Sequence, residues 1–323
     1  MIKNLSPSRA SQFKTCPKQF EYANVIKIEE PTNEVQAKGT TIHTALEILY
    51  DKKPEERTVD NLHTIFRAAW NDVRNNDEHS SLFETREDER EWGLDALNLL
   101  SNYFKLEDPT TIQPLERERW VRGKIEDLNL RGILDRMDED SDGNLIILDY
   151  KSGKAPAIKY KEQRFFALKL YALLIQEEIG KTPSELKLIY LKNSKVHTLE
   201  VNQDMLKEAK KEILEIWNQI KVSFENDNFP ATKNTLCDWC YFKPICPVFN
   251  DDYPNTDDLK KLTLEIKELE ETLSAVSMFV STSDLPEGND LHGVSKEEIE
   301  SKKISLEKER EYIVGKIAKL LGE

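Results

Sequence analysis

The sequence predicts an α/β fold whose sheet lies in the middle of the chain. Three observations predict it: β-rich runs near 114–122, 125–137 and 144–150, an amphipathic helix over 161–180, and two further strands within 185–201. Strands, a helix and then more strands is the order typical of an α/β domain. With 323 residues, 38% of them hydrophobic, the chain can bury a substantial core.

Helical segments precede and follow the predicted sheet. Near the start, Ser6 is a candidate N-cap with Pro7 at the first helical position, and a further helix is predicted over 203–226. From Leu262 onwards apolar residues recur at helical spacing on both sides of the loop 281–293, which is typical of a helical hairpin. The sequence therefore divides into a helical section over 17–110, an α/β core over 111–226 and a helical hairpin over 251–323, with the first domain ending at residue 250.

The net charge argues against a protein that simply coats nucleic acid. The chain carries a formal charge of −14, and neutralising phosphates requires local Lys and Arg. The charge is distributed unevenly, however: the segment from Lys151 to Lys169 is rich in basic residues and contains a single acidic residue, Glu162. A solvated charged face is the simplest interpretation of such a cluster.

The chain shows no apolar run long enough to span a membrane, and its N-terminus lacks the apolar centre of a secretory signal. We therefore expect a cytoplasmic protein with no membrane partner. In a reducing compartment, spaced cysteines are more often ligands than disulfides.

Two carboxylates mark the ends of consecutive predicted strands. Asp135 ends one β-run and Asp149 ends the next, with "DSDGN" as the turn between them. Strand alternation places Lys151 on the same face as Asp149. Two carboxylates suit Mg²⁺, and a neighbouring ammonium can orient water and offset charge on phosphorus, so phosphodiester hydrolysis is the chemistry this pattern favours. The alternative, a surface ion pair, is common for an isolated Asp-x-Lys.

The four cysteines have an unusual arrangement. "CDWCYFKPICP" holds Cys237, Cys240 and Cys246, while Cys16 lies near the other end of the chain. Zinc sites usually present two close pairs of ligands, and no histidine lies near the three-cysteine stretch. Iron–sulfur clusters accept more varied spacing, often with a proline after a ligand. From the residues alone, both zinc and iron–sulfur stay open.

Four segments together resemble a known family. "GILDRMD" followed by "IILDYKSGK" resembles the second and third motifs of the PD-(D/E)xK nuclease superfamily, in its RecB-type branch. "KGTTIHTALE" is similar to the G-x-x-x-H helix of that branch, and "LSPSRASQFKTCPKQFEY" is similar to its N-terminal segment. The resemblance implies a restriction-endonuclease-like mixed sheet flanked by helices, with a nuclease domain over 1–250.

The resemblance also implies roles for individual residues. His43, Asp135 and Asp149 would bind Mg²⁺ or Mn²⁺ with the backbone carbonyl of Tyr150, and Lys151 would be the catalytic lysine. The family often has a Gln four residues before a Tyr on the following helix. Tyr171 matches, but residue 167 is Ala, so Gln163, two turns before Tyr171, is the further candidate. Glu116 is another candidate on the first strand, and the candidate DNA-binding residues are Lys154, Lys159, Lys161 and Arg164.

The same branch, which includes AddB-like subunits and CRISPR-associated exonucleases, carries a [4Fe–4S] cluster held by one cysteine before the nuclease core and three after it. This layout implies Cys16, Cys237, Cys240 and Cys246 as the cluster ligands. By analogy with a disulfide, closing so long a loop would stabilise the fold by about 4–5 kcal/mol.

The resemblance implies a metal-dependent DNA exonuclease that acts on single-stranded DNA or duplex ends. The alternative is a DNA-end-binding or complex-assembly subunit that has the nuclease fold but does not cleave. The hairpin over 259–321 would then serve a protein partner or self-association.

Overall fold

A computed structural model of the protein describes residues 2–76, 78–157, 161–251, 256–282 and 296–321. The chain forms two compact units. We call Ile2–Ser11 with Pro31–Val222 the sheet unit, and Gln12–Glu30 with Ser223–Glu323 the cysteine unit.

The sheet unit is built on a mixed five-stranded sheet. Its strands are β1 (Glu116–Ile125), β2 (Leu128–Glu139), β3 (Leu145–Lys151), β4 (Glu185–Tyr190) and β5 (Lys195–Glu200), paired in chain order. β3 and β4 pair in parallel, while the other neighbours are antiparallel. A parallel pair needs a crossover, and the helical segment between β3 and β4 supplies it.

β1 and β2 form a hairpin with a two-residue turn at Glu126 and Asp127, because Ile125 pairs with Leu128. Glu126 takes the left-handed conformation that such a turn requires, with φ of 55°. The predicted division between runs 114–122 and 125–137 was therefore wrong by several residues, since both turn residues were placed inside a strand.

Three helices cover one part of the sheet: α3 (Glu34–Leu49), α4 (Val59–Val73) and α5 (Arg86–Tyr103), after the short helices α1 (Pro7–Thr15) and α2 (Pro17–Phe20). Side chains of Asn33, Thr58 and Thr85 cap the starts of α3, α4 and α5. Their apolar faces form one core with Leu148 and Tyr150 of β3, so α3 is held firmly against the strand that carries Asp149.

The crossover contains α6 (Lys161–Arg164) and α7 (Phe166–Ile179), and α7 packs on β1 and β3. Two glycines permit this close approach. A Cβ atom on Gly123 would lie 2.8 Å from Leu174, and one on Gly132 would lie 2.6 Å from Tyr171. The helix α8 (Gln203–Glu225) then follows β5.

The cysteine unit combines a short N-terminal segment with the C-terminal part of the chain. A π-helical turn over Glu21–Ile26 packs through Tyr22 on Phe242, and the Tyr22 hydroxyl donates to the Ile245 carbonyl at 2.8 Å. The helices α9 (Thr256–Thr282) and α10 (Lys296–Leu321) pack on each other, with Arg310 Nε 2.9 Å from Glu270 Oε1.

The predicted fold class is confirmed: a mixed sheet is flanked by helices, and a C-terminal helix pair follows. The predicted loop 281–293 lies almost entirely outside the described residues, and the domain boundary at residue 250 stays a prediction. None of the described helices is both long and apolar enough to traverse a bilayer.

Candidate functional site

Asp135 and Asp149 lie opposite each other on β2 and β3. The register pairs Arg136 with Leu148, and continuing it by one residue brings the two aspartates together. Both side chains are largely buried. Burial and the negative charge of Asp135 raise the pKa of Asp149 to about 6. A buried carboxylate pair of this kind requires a positive partner.

His43 on α3 supplies one such partner. Its Nδ1 lies 3.3 Å from Asp135 Oδ2, and its Nε2 lies 2.9 Å from the carbonyl oxygen of Tyr150. The Tyr150 amide donates to the same Asp135 oxygen at 2.8 Å. Burial alone would lower the pKa of His43, but the hydrogen bond and charge of Asp135 raise it to about 9. The ring is therefore an imidazolium that donates to both oxygens.

Glu118 is a site residue that the sequence analysis missed. It lies between Arg117 and Arg119, which pair with Arg136 and Leu134, so it lies opposite Asp135. Its φ of 43° is left-handed and coincides with the one missing pair in this stretch of the ladder. Burial, followed by the charge of Asp135, raises the pKa of Glu118 to about 7. His43, Glu118 and Asp135 each offer a ligand atom, and these atoms lie within 4.8 Å of one another.

Glu116, a weaker sequence candidate on the same strand, is exposed, and its Oε1 lies 3.1 Å from the guanidinium of Arg119. Knowledge of the β1–β2 register would have distinguished Glu118, which lies opposite Asp135, from Glu116, which pairs with Met137. Counting outward from a turn at Glu126 and Asp127 leads from Asp135 to Glu118, but that turn lacks the Gly or Asn that usually marks one.

Lys151 lies beside Asp149, with Nζ 2.6 Å from Oδ2. Burial acts to lower the pKa of Lys151, but the charge and hydrogen bond of Asp149 outweigh it and raise the pKa. Lys151 is thus an ammonium at neutral pH. Its side chain is 44% exposed, so it borders the solvent that a substrate would displace.

A buried arginine, Arg136, follows Asp135 on β2. Its side chain is 1% exposed and forms the centre of a polar network. It donates to the hydroxyls of Tyr150, Tyr50 and Tyr103 at 2.6, 3.0 and 3.1 Å, and to the carboxylates of Glu107 and Asp138 at 2.9 and 3.0 Å. Tyr150 lies between Asp149 and Lys151 in the sequence and is part of this network. The network therefore holds the backbone of β3 in place at the site. Sequence patterns gave no sign of it.

A cleft of about 480 Å³ adjoins the site and is lined by His43, Lys151, Lys154, Gln163 and Arg164 among others. Three of the sequence candidates thus border it: Lys154, Gln163 and Arg164. Lys159 lies outside the described residues, as does the side chain of Lys161.

Tyr171 on α7 packs over Gly132. Burial, with the charges of Asp149 and Asp135, raises its pKa. Tyr171 therefore stands close to the carboxylates as a neutral phenol.

The four cysteines come together in the cysteine unit and none forms a disulfide. All four line one cavity of about 270 Å³. The Thr232 amide donates to Cys16 Sγ at 3.5 Å and the Asn234 amide to Cys237 Sγ at 3.3 Å. Burial raises the pKa of Cys240, and the nearby thiols of Cys16 and Cys246 raise it further.

The oxygen and imidazole set of the sheet unit fits a divalent metal ion. Carboxylate and carbonyl oxygens suit a hard cation such as Mg²⁺ or Mn²⁺. Three largely or partly buried carboxylates, those of Glu118, Asp135 and Asp149, converge here, and the imidazolium of His43 and the ammonium of Lys151 offset their charge.

A protein-family comparison covers most of the chain. The family model described as "PD-(D/E)XK nuclease superfamily" matches residues 4–247. No curated protein has a sequence that matches the chain. A crystal structure named "Putative exonuclease", from Eubacterium rectale, is 12% identical with a TM-score of 0.44, covering 74% of this chain and 87% of its own.

A second crystal structure, of SSO0001, is also 12% identical, with a TM-score of 0.37, and the match covers 77% of this chain and 88% of that one. The match to the family model includes both strands that carry the aspartates, the helix that carries His43 and all four cysteines. The chain belongs to the PD-(D/E)XK nuclease superfamily.

Proposed function

We propose that the protein is a metal-dependent DNA exonuclease of the RecB-type branch, acting on single-stranded DNA or duplex ends. One observation carries the proposal: Asp135 and Asp149 lie opposite each other, with His43 on one side and Lys151 on the other. A nuclease family implies a nucleic-acid substrate. This arrangement combines cation ligands with a cationic side chain that faces solvent.

His43, Asp135, Asp149 and the Tyr150 carbonyl would hold Mg²⁺ or Mn²⁺, and Glu118 joins them as a ligand or as a base for a bound water. The ion would supply Lewis-acid activation of the phosphodiester. To admit it, His43 must release the proton that it now shares with Asp135 and Tyr150. Cation binding therefore competes with protons at this site.

Lys151 remains protonated, which suits it to stabilise charge rather than to remove a proton. Its ammonium, 2.6 Å from Asp149, would orient the attacking water and offset negative charge as it develops on the phosphate. The cleft beside it would hold the DNA backbone through Lys154 and Arg164, with Gln163 as a polar contact. Lys159 and Lys161 extend this basic set in the sequence. Tyr171 would lie next to the carboxylates as a neutral phenol.

The nuclease proposal is tested with oligonucleotides labelled at either end and incubated with Mn²⁺. We expect Asp149→Asn and Lys151→Ala to slow cleavage by about 100-fold or more, as loss of one charge-stabilising group often does. Asp142→Asn, which changes an exposed acid in the β2–β3 turn, is the matched control. Cleavage by the Asp149→Asn or Lys151→Ala protein at the wild-type rate would refute the proposed chemistry. Metal-independent DNA binding without cleavage by wild type would instead favour the non-catalytic subunit.

We further propose that Cys16, Cys237, Cys240 and Cys246 hold a [4Fe–4S] cluster. Supporting this, all four line one cavity, and backbone amides donate to two of the sulfurs, as they often do around clusters. Zinc is the alternative occupant of the same four thiolates, and metal analysis separates the two.

Anaerobic purification with iron and sulfide analysis tests the cluster. We expect about four irons and four sulfides per chain and a visible absorbance that Cys240→Ser removes. Ser184→Ala, which changes a polar residue in the sheet unit, is the control substitution. A colourless protein with stoichiometric zinc would contradict the cluster and leave the nuclease proposal untouched.

A further inference from the structure

The β1–β2 hairpin continues beyond the carboxylates into an exposed face. Two residues after Glu118 comes Trp120, which is 60% exposed, and its register partner Ile133 is 38% exposed. Two residues further, Arg122 lies directly opposite Arg131, and both are exposed. Like charges placed opposite each other destabilise a hairpin. The pair therefore weakens the fold that holds it.

The arginines of this face differ from the others on the hairpin. Arg117 and Arg119 each pair with an acidic side chain at 2.7 and 2.8 Å. Within the described parts of the chain, neither the Arg122 nor the Arg131 guanidinium has a hydrogen bond or an ion pair. In a protein with a net charge of −14, two unpaired cations side by side indicate an anionic partner.

The spacing suits a nucleic-acid strand. At about 3.4 Å per residue, Trp120 lies roughly 7 Å and Arg122 roughly 14 Å along the strand from Glu118. The face is therefore long enough to contact more than one nucleotide of a bound strand. An exposed indole offers a stacking surface to an unpaired base, whereas the bases of a duplex are already stacked.

We propose that this face, which we call the hairpin track (Trp120, Arg122, Arg131 and Ile133), binds single-stranded DNA leading to the carboxylate site. Trp120 stacks on a base, Ile133 widens the apolar contact, and the arginines hold phosphates. The inference rests on the proposed nuclease function and adds how, and in which form, the substrate strand is held.

Fluorescence anisotropy with a fluorescein-labelled oligo-dT strand tests the track, with EDTA present so that no strand is cut. Each phosphate contact on a single strand contributes about −0.7 to the slope of log K against log salt, so Arg122→Ala/Arg131→Ala should make the slope less steep by about 1.4. Trp120→Ala should weaken binding roughly 5- to 150-fold, the range for one lost stacking contact, and Trp120→Phe should weaken it less.

The matched control is Lys207→Ala/Lys211→Ala, which removes two exposed cations of α8 whose side chains are 75% and 79% exposed. We expect it to change the slope far less than the track variant does. Equal slopes and affinities for the wild type, track and control proteins would overturn the track. Equal losses on single-stranded and duplex DNA would overturn its preference for single strands. Because binding is measured in EDTA, a wild type that binds through the track but never cleaves with Mn²⁺ would refute the nuclease function alone.

Discussion

Replacing Glu118 with glutamine should stabilise the metal-free protein while weakening its binding of a divalent cation. Burial and the charge of Asp135 raise the pKa of Glu118 from 4.5 to about 7. The folded protein therefore holds this proton more tightly than the unfolded chain does. Below about pH 4.5 the Glu118 carboxyl is protonated in both states and does not change the free energy of unfolding. As the pH rises from there through 7, its ionisation destabilises the fold.

The magnitude follows from the same pKa. A change from 4.5 to about 7 corresponds to about 3.4 kcal/mol at 1.36 kcal/mol for each tenfold change in proton affinity. Glu118 is only half-buried, so solvent screens part of this, and we expect about 1–2 kcal/mol at pH 8.5. Less than half of the difference should remain at pH 5.5, because there the folded-state carboxyl is mostly protonated.

Urea unfolding in EDTA at both pH values measures the effect. Glu116→Gln, an exposed neighbour on the same strand, is the matched control. Adding Mn²⁺ should then stabilise the wild type more than Glu118→Gln, because a cation that binds the folded state adds to its stability according to affinity. If Glu118→Gln is no more stable than Glu116→Gln at pH 8.5, or if Mn²⁺ stabilises both variants equally, our account of this site is wrong.

Three further predictions concern the surroundings of the site. Gly132→Ala should destabilise the fold by about 1–3 kcal/mol, because its Cβ would lie 2.6 Å from Tyr171, and in a double-mutant cycle Tyr171→Ala should recover much of the loss in urea unfolding; additive effects would refute this contact. Arg136→Met should cost about 3–5 kcal/mol of unfolding free energy, because buried carboxylates lose their partner, and a loss within experimental error would show that the network adds little. In EDTA, His43 should keep its proton up to about pH 9. The stabilisation of the fold by its ion pair with Asp135 is complete below about pH 6.5, and this stabilisation is lost as the pH rises through 9. An NMR titration of the ring checks this, and Asp135→Asn should lower the pKa; an unchanged value would contradict the pairing.

The sequence predicted the order of the elements and the turn between β2 and β3 well, because local chemistry marks both. Asp135 and Asp149 end apolar runs, and Asp142-Gly143 supplies the conformation of the turn between those runs. The position of His43 depended on the family motif, since a lone helix histidine carries no signal of its own. The structure places it 3.3 Å from Asp135.

Other features depend on contacts between distant residues. Arg136 resembles an ordinary polar residue next to Asp135 in the sequence, yet it is buried against Tyr50 just after α3, Tyr103 of α5 and Tyr150 of β3. Glu118 could be found only from the β1–β2 register, which a turn of two acidic residues conceals. Periodicity tells which face a residue occupies, but not which residue of the next strand it meets.

The two-residue turn at Glu126 and Asp127 makes the length of the hairpin a constraint on its chemistry. Inserting one residue in β1 between the turn and the site would bring Arg119 opposite Asp135, and deleting one would bring Arg117 there. Either change places a guanidinium where a cation would bind. Natural or engineered length changes in this hairpin should therefore occur in compensating pairs, or as a bulge that restores the register.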